Sequence, residues 1–191
     1  ANCDGDQIEL SEQDIKRIAV IFEELGQDEG DCDYKMQDSH LMFSWLLSGY
    51  LKSEDIGLGR KKKFLNKLSA RQSGASNLSL ILRNWNYVLG MLTPFARDPK
   101  FTNLIAAGDG ETACNWSDST YGLGSGKYAF DVNAIWAPRA LRSIRESLGV
   151  LRSIFSAEQI ESLAAEYPEL KTTLLDKNAL MEMGRKWKGD R

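Results

Sequence analysis

Three observations predict an all-α fold for this chain. Apolar residues recur at three- and four-residue spacing over most of its length. Ser, Gly or Pro stands where such segments would start or stop, and no stretch alternates polar and apolar residues long enough to make a strand. About seven helices are expected, arranged as antiparallel hairpins. They would form one all-helical domain over residues 1–191, or a fragment of a larger one.

The first helix is expected after Ser11, a cap followed by Glu12 and Asp14, with Ile15, Ile18, Ala19, Phe22 and Leu25 on one face and Gly26 as the stop. Ahead of it, "NCDGDQIELSE" resembles a calcium-binding EF-hand loop. With Gly5 at the turn, however, Ser11 falls where the closing acid belongs, so a solvated acidic segment is expected instead. The acidic, aperiodic "GQDEGDCDYKMQD" reads as a loop.

"SHLMFSWLLSGYL", residues 39–51, is strongly apolar but too short to cross a bilayer, so it predicts a buried helix. A further helix is expected over 59–70. Over 77–92, Leu78, Ile81, Leu82, Trp85, Val88, Leu89 and Leu92 form a wide apolar stripe, and Pro94 should end that helix. Helix resumes over 133–151, with a kink or a first turn near Pro138. Ser156 should cap a short helix ending before Pro168, and 173–187 offers the last.

Lys and Arg number 24 against 27 Asp and Glu, for a net charge of −3, and 42% of residues are hydrophobic. Such a balance calls for neither nucleic acid nor an anionic membrane as partner; the run Arg60-Lys61-Lys62-Lys63 reads as a solvated helix face. No apolar run approaches the roughly 20 residues of a membrane span. Cys3, Cys32 and Cys114 show no CxxC spacing, so no zinc site is expected. A Cys3–Cys32 bridge would suit an exported protein and free thiols a cytosolic one, and the sequence leaves the compartment open.

One stretch departs from this pattern. "NWSDSTYGLGSGKYAFDVNAIWAPRAL", residues 115–141, crowds aromatic, acidic, hydroxyl and Gly residues into a connection and then turns into an apolar helix. Trp116 offers a flat apolar face of the kind on which sugar rings stack. Asp118, two residues on, can serve as a general acid where desolvation disfavours its charged form. Gly122, Gly124 and Gly126 let the backbone approach a ligand or adopt positive φ. Asp131 and Asn133 stand where a helix begins, as caps or as cleft residues. The bland reading is a flexible connector followed by a capped helix; no GxxxxGK[ST] phosphate cradle is present.

The pairing of "NWSDS" with "DVNAIWAPRAL" across a Gly-rich loop resembles the linked motifs of six-hairpin glycosidases, in particular debranching-type amylo-1,6-glucosidases and the related glucosidases and trehalases built on an (α/α)6 toroid. The resemblance covers residues 115–141 only. It implies that Asp118 is the catalytic general acid and that Trp116 lines the sugar subsite. It also implies that Asp131 and Asn133 stand near the substrate or brace the loop; Tyr121 and Tyr128, in a linking loop of this protein's own, are further candidate substrate-binding residues. A carbohydrate is the implied partner, with the remainder of a toroid as a further one and no metal or organic cofactor. Ser117 and Ser119 depart from the Met and Ala common in debranching enzymes.

An inverting mechanism also needs a base about 6.5–9.5 Å from the acid. Glu146, Glu158, Glu161, Glu166 and Glu169 are available, but each lies at a spacing typical of a solvated helix face, and about seven helices are too few to complete the toroid. His40, the single histidine, supports no Ser-His-Asp or Cys-His set. Two functional readings therefore stand: a glycoside hydrolase or its acid-bearing portion, and a non-catalytic helical carbohydrate-binding or interaction module.

Overall fold

The structure is a computed structural model that describes residues 37–69, 74–108, 124, 126–175 and 178–189; all lie in one compact unit spanning residues 35–191. Seven α-helices are present among them: α1 (Gln37–Lys52), α2 (Leu58–Asn66), α3 (Asn77–Arg97), α4 (Ala137–Ile154), α5 (Ala157–Ala164), α6 (Pro168–Leu175) and α7 (Ala179–Lys188). A 3-10 turn covers Phe101–Asn103, and a π-helical turn, Val132–Trp136, leads directly into α4. No strand occurs among the described residues; Leu68 and Ser76 form an isolated antiparallel bridge. The helix expected over 11–25, the calcium question and all three cysteines fall outside the described residues.

α3 is the central element. Its stripe of Leu78, Ile81, Leu82, Trp85, Val88, Leu89 and Leu92 is entirely buried, each side chain contributing about 1.5–3 kcal/mol of apolar burial. Ser76 caps its start by accepting from Ser79 N at 3.1 Å. Pro94 does not end the helix, contrary to expectation: α3 runs on to Arg97. The helical bond that proline cannot donate would have gone to exposed Gly90, while Thr93 Oγ1 donates to Leu89 O at 2.7 Å and Ala96 is drawn into the core.

α1 is one-sided rather than buried all round. Leu41, Leu47 and Leu51 enter the core, but Trp45 stays 39% and Leu46 65% exposed. Ser44 and Ser48 on α1 and Ser143 and Ser147 on α4 are all buried, and Ser48 Oγ donates across to Glu146 Oε2 at 3.5 Å. Trp45 lies beside Trp136 and Arg139 near the start of α4, and Lys52 beside Glu146 farther along, so α1 and α4 run parallel. These two helices are not consecutive in the chain, so their contact lies outside the expected antiparallel hairpins. α1 and α3 do run antiparallel: His40 meets Asn84 and Tyr87, whereas Tyr50 meets Phe64, whose carbonyl accepts from Asn77 at the start of α3.

The ends of the helices are closed by specific side chains. Lys61 buries its stem and donates to Ser53 O at 2.9 Å just beyond α1, where a cation complements the helix dipole. Ser156 and Gln159 form a reciprocal capping box at α5. The helix expected over 173–187 is instead two, α6 beginning at Pro168 and α7 at Ala179. Proline at a helix start gives up an N–H that would be unpaired there anyway. The next two donors of α6, Glu169 N and Leu170 N, reach across to Asn86 Oδ1 on α3 at 3.0 and 3.3 Å.

Candidate functional site

α1 and α4 begin, and α3 finishes, at the same end of the bundle, and there the two flanks of the Gly-rich segment are tied together. Asn133, buried in the π turn, is the knot. Its Oδ1 accepts from Ile105 N at 2.8 Å, while its Nδ2 donates to Ile105 O and to Ala129 O, each at 2.9 Å. Ala107 N donates to Lys127 O at 2.8 Å, and Gln37 Nε2 on α1 donates to Ala106 O at 2.8 Å. Residues 105–107 are thus held between the start of α1 and residues 127–133.

The flank after the segment is shaped by two glycines at positive φ, Gly124 (65°) and Gly126 (84°). A Cβ at Gly124 would lie 3.0 Å from the Tyr128 ring, so a side chain there is strained by its φ and crowded by that ring. Tyr128 is half-buried and meets Phe101 edge-on at 6.4 Å. It lines a cavity of about 250 Å³ with Phe95, Leu104, Phe130 and Trp187, next to the Asn133 clamp. On the other side of the π turn, Trp136 lies 5.8 Å from Trp45, and the Arg139 guanidinium sits 5.1 Å from the Trp45 ring, a cation–π distance.

The widened turn has a local cause. Pro138 lacks the N–H that an α-helix would require one turn in, and Ala137 N bonds back to Val132 O, five residues away. That places Val132 and Asn133 inside and leaves Ala134 and Ile135 outside.

Of the residues expected to carry chemistry, Trp116, Asp118 and Tyr121 lie outside the described residues. Both atoms of the Asn133 carboxamide are spent on the backbone of Ile105 and Ala129. Asp131 is half-buried immediately before the π turn, and Tyr128 faces the aromatic cavity. The contributions of Ile105, Ala106, Gln37 and Trp45 carried no signal in the sequence, because each acts through backbone or through an element far away in the chain.

The candidate bases lie elsewhere. Glu146, on the far half of α4, bonds Lys52 Nζ at 2.8 Å and Arg142 Nε at 2.9 Å, and these hydrogen bonds hold its carboxyl down to about 2. Glu158, Glu161 and Glu166 are exposed, and Glu169 accepts from Thr93 Oγ1 at 3.2 Å beside α3. Burial lowers the pKa of His40, whose Nδ1 lies 3.0 Å from Asn84 Nδ2. Among the described residues no group of three or more His, Cys, Asp or Glu could hold a metal ion, and no helix is long and apolar enough to cross a membrane. No family model, curated protein or solved structure matches the chain.

Proposed function

We propose that the chain is a glycoside hydrolase, or the acid-bearing portion of one, that cleaves a glucosidic-type linkage with inversion and belongs to an (α/α)6 toroid. In this reading Asp118 protonates the glycosidic oxygen and Trp116 stacks on the sugar. The observation that carries it is the clamp of Asn133 on Ile105 and Ala129. Three side-chain hydrogen bonds at the flanks of the segment bearing the "WSDS" motif are more than a plain connector needs, and they are what positioning a catalytic carboxylate requires.

A second reading, a non-catalytic carbohydrate-binding module, is favoured by one observation. The glutamates on α4, α5 and α6 that could serve as base are salt-bridged, exposed or bonded on other elements. In the first reading the base then comes from outside the described residues. Hydrolysis assays on α-linked glucosides separate the two. Asp118→Asn should keep the fold and lower the rate by roughly 10²–10⁴, the usual effect of one acid or base group. Unchanged turnover on a substrate that the parent cleaves would remove Asp118 from its role. If the parent binds sugar without cleaving it, and Trp116→Ala weakens that binding by about 1 kcal/mol, the binding module is the correct reading.

A further inference from the structure

A second concave site lies between α4 and α7, away from the Gly-rich segment. Arg142 and Arg145 on α4 and Arg185 and Lys188 on α7 line a cleft of about 250 Å³, and no acidic residue among the described ones lines it. Each pair is spaced three residues apart, which puts both of its members on one helical face. Two faces of cations therefore meet across one groove in a chain whose net charge is −3.

The nearby acids do not neutralise it. Glu146 bonds Arg142 but is shared with Lys52, and Glu182 lies 3.6 Å from Arg185. The side chains of Arg145 and Lys188 make no ion pair or hydrogen bond among the described residues. Arg185 and Lys188 have a structural role in the last turn of α7, where cations complement the helix dipole. Arg145, in the middle of α4, has no such role.

The walls of the cleft are mixed in a way that narrows the ligand. Pro138, Leu180 and Met181 supply apolar surface beside the four cations. Gly184 sits in the wall with nothing within 4 Å of where its Cβ would be, so the groove stays open at that point. A phosphate group fills only part of such a volume. Arginine forks match its oxygens two at a time, and a dianion relieves the mutual repulsion of four cations better than a monoanion can.

We propose that this cleft binds the phosphate of a small phosphate monoester whose organic part rests on Pro138, Leu180 and Met181. This stands independently of the glycosidase reading, since it uses none of the same residues.

The test is calorimetric titration of the full chain at low ionic strength, where screening is weakest. Phenyl phosphate should bind saturably at one site and more tightly than inorganic phosphate, and phenol should not bind. Phenyl sulfate, with one charge instead of two, should bind at least ~5-fold more weakly. Arg145→Gln combined with Lys188→Gln should weaken phenyl phosphate by at least about tenfold. Gly184→Glu, which projects a carboxylate into open space on a helix, should abolish binding, while Gly184→Ala should leave it intact with the fold unchanged. No saturable binding of phenyl phosphate, equal binding of phenyl sulfate, or binding that survives Gly184→Glu overturns the proposal.

Discussion

Asn133 and Ile105 exchange hydrogen bonds in both directions, N–H to Oδ1 at 2.8 Å and Nδ2–H to O at 2.9 Å, so one carboxamide imitates a strand partner for a chain 28 residues away. Replacing it with Leu keeps the volume and leaves Ile105 N, Ile105 O and Ala129 O without that partner. The expected cost is about 2–4 kcal/mol, read from urea unfolding at unchanged m-value. Asn133→Asp keeps the acceptor for Ile105 N but sets a carboxylate against two carbonyls, and it should be no better than Leu.

Gly124 should resist substitution for two separable reasons. Its φ of 65° is strained for any residue with a Cβ, and that Cβ would press on Tyr128 at 3.0 Å. Gly124→Ala is expected to lower stability by about 1–2 kcal/mol. Adding Tyr128→Ala removes the steric part only, so a thermal-melting double-mutant cycle should show a non-zero coupling between the two positions.

Asn86 acts as an N-cap supplied by another helix. Asn86→Ala should cost about 1 kcal/mol and speed hydrogen exchange at Glu169 and Leu170 ahead of the rest of α6. Asn86→Asp retains the acceptor and adds a negative charge near a helix start, so its exchange rates should stay at or below those of the parent.

Glu146 predicts an acid limb in the stability profile. Its pKa is lowered to about 2 by hydrogen bonds from Lys52 and Arg142, below the unfolded value near 4.3. The unfolded chain therefore binds the proton more readily. The stabilisation is complete above the unfolded pKa and is lost as pH falls through the folded one. With Lys52 and Arg142 themselves 50% and 58% exposed, solvent screening reduces it to about 1 kcal/mol. The stability difference between the parent and Glu146→Gln, measured by denaturant titration, should shrink as the pH falls from 5 to 2; a constant difference refutes this.

Much of the helical frame was legible because it rests on local rules. All seven stripe residues of α3 are buried, only Ala96 beyond Pro94 being added to them, and Ser156 announced α5 through its own side chain. What the sequence concealed is non-local. Pro94 is overridden by the burial of Ala96 beyond it. Trp45 and Leu46 stay exposed because, among the described residues, only one side of α1 meets other helices. The separation of α6 from α7 interrupts a stretch whose apolar spacing reads as continuous, and the α6 cap comes from a residue 83 positions earlier. At the candidate site, the motif pointed to residues 115–141, but the clamp depends on Ile105, whose carbonyl and N–H no sequence pattern marks.

The π turn sets the phase between two surfaces. Extending the buried side of α4 backwards from Ala137, Ala140 and Leu141 at α-helical pitch would turn Asn133 and Ala134 inward; the wider turn buries Val132 and Asn133 instead and leaves Ala134 outside. The surplus residue works as a vernier between the core and the clamp. Without it the helical pitch would bring Ala134 inward in place of Val132, so the turn decides which side chain stands beside Asn133 at the clamp.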